Sequence, residues 1–303
     1  MQSAGSINNR PTLCGPLRLR ILSADEENEL SNAIQAIDVH AHYGTYLRDG
    51  MRPLLAGWSS GDATTVVERA TQAGVRLTVV SPLSGLQPRG RADVVSANIE
   101  ASEVVQQTAG LLQWVIVHPE QPDTYSQAAE LLGSPHCVGI KIHPEEHEYE
   151  ITQHGDKLFE FAARHDALVL AHSGDPNSWP KDFVRFADEY SNVRLILAHL
   201  GNGGGASGDP TLQVRAIQES RHDNVYVDTS SARSILPGLI EWAVSEIGAK
   251  RILFGTDTPL YSTAMQRVRI DSANITEEQK LNILCHNAEQ LLSLELTGQP
   301  PAS

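Results

Sequence analysis

Eight short runs of β-branched or aliphatic residues punctuate the chain, at 36–40, 75–81, 112–118, 138–143, 168–172, 193–199, 225–229 and 251–257. They are almost continuously apolar rather than alternating, as a parallel strand covered on both faces requires. Between them, segments such as 63–73, 156–164, 182–189 and 236–247 repeat apolar residues three and four positions apart, the mark of a helix with one buried side. The pattern predicts strand–helix alternation, hence an open doubly wound sheet or a closed barrel. The number eight favours the barrel, and His42-Tyr43-Gly44 after the first run is not the glycine-rich turn of an open-sheet nucleotide binder. The expected fold is therefore α/β, a (β/α)8 TIM-like barrel over 36–295 with a short N-terminal extension (1–35) and a C-terminal tail (296–303).

Smaller features refine this picture. A helix over 26–36 is expected to close the bottom of the barrel, and one over 276–292, opened by Thr276, Glu277 and Glu278, to end it. The 43–61 connection is long enough to form part of a lid, and the glycine-rich 201–208 segment is expected to be mobile.

Composition narrows the function. With 23 Lys and Arg against 37 Asp and Glu, the net charge of −14 and the lack of any basic run argue against nucleic acid and anionic membranes as partners. No apolar stretch approaches the ~20 residues that span a bilayer, and residues 1–20 lack a signal peptide's apolar centre, so a cytoplasmic location is expected. Cys14, Cys137 and Cys285 are too few and too scattered for a disulfide framework or a zinc knuckle. The expected partner is a small-molecule substrate, with a homo-oligomer left open.

Chemistry gathers at the C-terminal ends of the runs, where barrel enzymes assemble their sites. In Asp38-Val39-His40-Ala41-His42 the two histidines, one residue apart, point to the same side of a strand and can grip one metal. Taken alone, such a pair can equally be solvated. Leu170-Ala171-His172-Ser173-Gly174 and Leu197-Ala198-His199-Leu200-Gly201 repeat one form, and Phe254-Gly255-Thr256-Asp257 ends the last run with a carboxylate. A single strand-end histidine is usually a hydrogen-bonded cap, but these residues stand in order on four strands.

These pieces, with Gly139-Ile140-Lys141-Ile142-His143-Pro144 and Asn287-Ala288-Glu289-Gln290-Leu291-Leu292, resemble the amidohydrolase-2 branch of the amidohydrolase superfamily from about Ala36 to Leu292. The resemblance implies a divalent metal, zinc before others, as one ion or two. It implies His40, His42 and His172 as ligands, and Asp257 as a ligand or the group that shuttles a proton. His199 would polarise the substrate carbonyl in a one-metal site, staying neutral and donating a hydrogen bond, or bind a second ion. Lys141 would be carbamylated and bridge two ions, or else pair with a buried or substrate carboxylate. His143 is divided between substrate contact and capping, and His118 reads as structural. Asp38 is the expected acceptor for a ligand imidazole, and the run Glu145-Glu146-His147-Glu148 reads as a solvated loop whose place beside the mouth also allows substrate contact.

The leading activity is hydrolysis of an amide, ester or lactone by a metal-bound hydroxide. The alternative is non-oxidative decarboxylation of an unsaturated or aromatic acid, and a barrel that has lost catalysis is a third reading, opposed by the presence of all five strand-end residues. Decarboxylase relatives generally present an arginine to the substrate carboxylate. Arg215, Arg233 and Arg267 are the arginines considered for that task, none ends a strand, and this favours hydrolysis.

Overall fold

The computed structural model describes residues 35–205, 207–231 and 236–294. The expected extension, apart from Gln35, lies outside the described residues, as do the tail, Cys14 and Arg233; of the helix expected over 26–36 only Gln35 and Ala36, the first residue of the sheet, are described. Eight strands are hydrogen-bonded in sequence order: β1 (Ala36–Tyr43), β2 (Val75–Pro82), β3 (Leu111–Ile116), β4 (Cys137–Ile142), β5 (Leu168–Ala171), β6 (Leu195–Leu197), β7 (Val225–Asp228) and β8 (Ile252–Leu253). Between and after them come α1 (Pro53–Trp58), α2 (Ala63–Gln72), α3 (Val94–Gln107), α4 (Asp123–Leu131), α5 (Ile151–Arg164), α6 (Pro180–Glu189), α7 (Leu212–Glu219), α8 (Leu239–Ile247) and α9 (Thr263–Asp271). The expected last helix is α10 (Glu277–Leu281), a π turn (Asn282–His286) and α11 (Asn287–Leu291), entered through a capping box between Thr276 and Gln279.

Two apolar layers hold the barrel. Ile37, Val39, Trp114, Leu168, Leu170, Ile196 and Leu253 fill its interior. Outside, Ile140, Val169 and Leu195 pack with Phe159 of α5 and with Phe183 and Phe186 of α6. This double coverage is why the strands read as unbroken apolar runs.

The first strand meets the last without a regular ladder. Val39 N–H donates to Phe254 C=O at 2.9 Å, Asp257 N–H to His40 C=O at 2.8 Å and His42 N–H to Thr258 C=O at 2.7 Å. The (β/α)8 barrel thus closes through residues beyond β8. Strands β5, β6 and β8 end at Ala171, Leu197 and Leu253, so that His172, His199 and Asp257 all stand on the chain beyond them.

A local irregularity in β1 aims the histidine pair. Ile37 and Val39 lie in the interior cluster, whereas Ala41 and Tyr43 pack outward against Val66, Ala101 and Val105. Strict alternation cannot place both Val39 and His40 inward. The pairing with β2 supplies the missing residue: Asp38 faces Thr78 and Ala41 faces Val80, three steps on one strand against two on the other. Such a bulge re-aims the side chains beyond it.

Close approach of β4 to β5 gives a test of this packing. A Cβ on Gly139 would stand 2.3 Å from the Leu168 carbonyl oxygen and 2.8 Å from Trp114 Cζ3. Gly139→Val is expected to destabilise the barrel by ~1–3 kcal/mol or more, read as a lower denaturation midpoint. An unchanged midpoint would mean that the two strands part there at no cost.

Candidate metal centre

His42 Nδ1–H donates to the Ser81 carbonyl at 3.0 Å, and His40 Nδ1–H donates to Asp228 Oδ2 at 2.8 Å. Both rings therefore present Nε2 to the barrel mouth, where the two nitrogens lie 3.1 Å (His42) and 3.7 Å (His40) from Asp257 Oδ1. Three electron-pair donors facing one another, all buried, repel unless positive charge sits among them. Two imidazole nitrogens and one carboxylate oxygen are a donor set suited to a divalent first-row metal. A share of the required charge is in place already, since Lys141 Nζ stands 2.8 Å from His40 Nε2.

His172 is not part of this set. Its Nδ1 lies 3.0 Å from His199 Nε2, its Nε2 lies 2.6 Å from Asp175 Oδ2, and its ring stacks on His143 with centroids 4.1 Å apart. His199 Nδ1–H donates to the Ser230 carbonyl at 2.8 Å, so the neutral ring offers a lone pair at Nε2. That reverses the expected polarity, because neutral His199 accepts a hydrogen bond and cannot donate one to a carbonyl. His143 has the opposite sense: its Nδ1 accepts from Glu146 N–H at 3.2 Å, which leaves the neutral ring's proton on Nε2. Burial lowers the pKa of His199, and with adjacent His172 and Lys141 holds His143 well below the usual histidine value.

Asp228, at the end of β7, is the residue the sequence reading overlooked. It accepts from His40 Nδ1 at 2.8 Å, from His199 N–H at 3.0 Å, from Ser230 N–H at 2.9 Å and from Ser230 Oγ–H. Burial alone would raise its pKa, but these partners hold it well below the usual carboxylate range. The role expected of Asp38 thus falls to Asp228. Asp38 instead accepts from His40 N–H at 3.1 Å and from Thr256 Oγ1–H at 2.5 Å, tying β1 to the chain after β8, and burial pushes it up to about 8. Asp257 is likewise opposed by burial, yet His42, His199 and His40 hold it at about 2.

Backbone conformation delivers two of these groups. His199 and Asp257 adopt left-handed φ values of 73° and 57°. Such a conformation is unfavourable for a residue with a Cβ and is kept where the surroundings dictate it. It turns each side chain into the mouth as its strand ends.

Above the centre lies a cavity of about 570 Å³, walled by His42, His143, His172, His199, Asp257 and the connecting loops. The 43–61 connection does border it, through Tyr46 and Arg48, and is anchored by paired bonds between Gly44 and Gly61 at 2.7 and 3.1 Å. The run after His143 is not a solvated loop: Glu146 and His147 are buried. Glu146 receives Arg48 Nη2, and Arg89 at 3.3 Å, while Arg89 Nη1 lies 2.7 Å from Glu145. Arg48 and Arg89 both line the cavity from loops, so the lack of a strand-end arginine did not mean a pocket without one. Arg215 and Arg267 do not line it and pair with Asp209 and Asp271. His118 serves its own turn, its Nδ1 accepting from Glu120 N–H at 3.2 Å.

The family model described as Amidohydrolase matches residues 37–294. No curated protein matches the chain in sequence. Solved structures do in fold. The 5-carboxyvanillate decarboxylase from Sphingomonas paucimobilis superposes with a TM-score of 0.67 at 14% identity, covering 86% of this chain and 99% of its own. A dihydroxybenzoic acid decarboxylase from Polaromonas sp. JS666, solved with manganese and an inhibitor, gives 0.63 at 17%, covering 86% and 97%. A protein assigned as a 2-pyrone-4,6-dicarboxylic acid hydrolase from Pseudomonas putida gives 0.62 at 17%, covering 87% and 99%. No described helix is long and apolar enough to cross a membrane.

Two outcomes follow from these contacts. Asp228→Asn removes the carboxylate that orients His40, and metal affinity is expected to fall 10–100-fold in competition with a chromophoric chelator; unchanged affinity would exclude that role. Burial depresses His40 to about 3 and His147 to about 4, against about 6.5 in an unfolded chain. Between those values the unfolded chain binds protons at these two residues that the folded chain refuses, so their contribution is full above about pH 6.5 and declines as pH falls toward 4; Asp38, held protonated in the folded chain up to about pH 8, opposes one of the two, leaving a net decline. Urea denaturation of metal-free protein across that range should show the decline, and His147→Gln should reduce its slope by about one proton.

Proposed function

The chain belongs to the amidohydrolase family, and on that premise we propose that it is a metal-dependent hydrolase of a small amide, ester or lactone that carries a carboxylate. The observation that carries the reading is the convergence of His40 Nε2, His42 Nε2 and Asp257 Oδ1 on one point at the floor of the cavity. These residues would hold one divalent ion, zinc by their imidazole majority. The other grouping, His40, His199 and Asp228, is a weaker candidate, because the Asp228 oxygens already accept four hydrogen bonds.

When bound, the ion supplies Lewis-acid activation of a water or of a carbonyl oxygen. The chain's own groups do the rest. Asp257, ionised across the neutral range, takes the proton of the attacking water on its carboxylate and returns it to the leaving group. His143 donates from Nε2 to the substrate oxygen, and His199 Nε2 is a second acceptor for a proton in transit. Arg48 and Arg89 are placed to receive the substrate carboxylate, exchanging part of their pairing with Glu146 for it.

Decarboxylation is the second reading, and the same two arginines, with the decarboxylases among the similar folds, speak for it. What favours hydrolysis is the supply of protons. Decarboxylation needs an acid that can protonate carbon, whereas burial keeps His40, His143 and His199 in their neutral, basic forms, and His172, which must donate from both ring nitrogens, is committed to His199 and Asp175. Lys141, the ammonium nearest them, is committed to His40.

Zinc-loaded protein offered carboxylate-bearing lactones and esters should release acid in a pH-stat, and offered hydroxybenzoates should release no carbon dioxide; the opposite result establishes the lyase. On whichever substrate turns over, Asp257→Asn should lower kcat by ~10²-fold or more at saturating zinc. Arg48→Ala should mainly raise KM.

A further inference from the structure

Lys141 is the largest charged side chain in the barrel with no exposure at all. Its place on β4 puts it beside the interior layer, and its ammonium reaches only to the mouth, where it donates to His40 Nε2 at 2.8 Å. A neutral imidazole has one lone pair. His40 has its proton on Nδ1, bonded to Asp228, so the lone pair at Nε2 is all that it can offer to a metal. The same electron pair is bonded to Lys141. A metal ion and the Lys141 ammonium therefore cannot use His40 together.

From this competition we propose that Lys141 is the built-in cation of the metal-free centre, and that metal binding replaces its bond to His40. Lys141 is bonded to an imidazole, and the buried carboxylates Asp228 and Asp257 act on it through space. In the metal-free chain the ammonium offsets those two buried carboxylates, which would otherwise repel each other across His40. Metal binding brings a larger positive charge to the same place, so Lys141 must withdraw toward the carboxylates or the cavity. The residue thus holds the ligand set together when it is empty and weakens the metal when it arrives. This inference rests on the reading of His40 as a metal ligand.

The test compares wild type, Lys141→Met and His40→Ala, each stripped of metal, by zinc titration against a chromophoric chelator at one pH and by thermal denaturation with and without zinc. Lys141→Met is expected to bind zinc about tenfold more tightly or better, the scale of one charge-assisted hydrogen bond. It should also melt lower than wild type without zinc and recover with zinc. Zinc affinity equal to or weaker than wild type would overturn the proposal, as would a melting deficit of the same size with and without zinc. A fall in stoichiometry from two ions to one would show a bridging lysine instead. Failure of the underlying reading looks different, since His40→Ala would then bind zinc as wild type does. Should Lys141→Met not fold, nitrogen-15 NMR of wild type decides: a hydrogen-bond coupling between Lys141 Nζ and His40 Nε2 should be present without metal and vanish on adding zinc. Its absence without metal, or its survival with zinc, refutes the exchange.

Discussion

His40 is bonded at both ends of its ring, and most of the barrel mouth is arranged around that fact. Nδ1 is fixed by Asp228 from β7, which leaves Nε2 as a directed electron pair in a buried position. Everything positive nearby is drawn to it, and everything negative must be balanced against it. Asp228 also grips the backbone of His199 and both the backbone and hydroxyl of Ser230, so one carboxylate sets the attitude of two imidazoles on two strands. Such an acceptor behind a ligand fixes its tautomer and raises its basicity.

The upper wall follows a second electrostatic arrangement. Glu146 lies buried between Arg48 and Arg89, which come from the loops after β1 and β2, while its own backbone N–H holds His143 in the tautomer that donates into the cavity. A single residue of the β4 loop therefore links the polar rim to the histidine stack beneath it. The cavity has bases at its floor and carboxylate-paired arginines at its rim.

Much of this was legible in the sequence. Eight apolar runs, and the polar residues ending them, gave the fold and the positions of His40, His42, His172, His199 and Asp257 at one mouth. Those signals are local, since burial on both faces and strand-end chemistry are written residue by residue. What escaped were properties of pairs distant in the chain. Asp228 is an unremarkable end to Val225-Tyr226-Val227 until its oxygen is seen beside a ring 188 residues away. The donor or acceptor sense of His199 depends on the Ser230 carbonyl, which no motif records. Arg48 and Arg89 sit in loops, where spacing carries no directional information. The extra residue in β1 is visible only in its pairing with β2.

The seam between the two ends of the sheet has a consequence for biosynthesis. Asp38 binds Thr256 across 218 residues of sequence, and the peptide of Asp257 itself closes the barrel onto His40. During synthesis the histidine pair leaves the ribosome with the first strand, whereas Asp257 emerges only after seven strands have had the opportunity to fold. Contacts of such long sequence separation form late, because the loop they close must be ordered first. A nascent chain therefore holds His40 and His42 without Asp257 until the eighth strand is made, and the grouping of the three is coupled to the final act of closing the sheet.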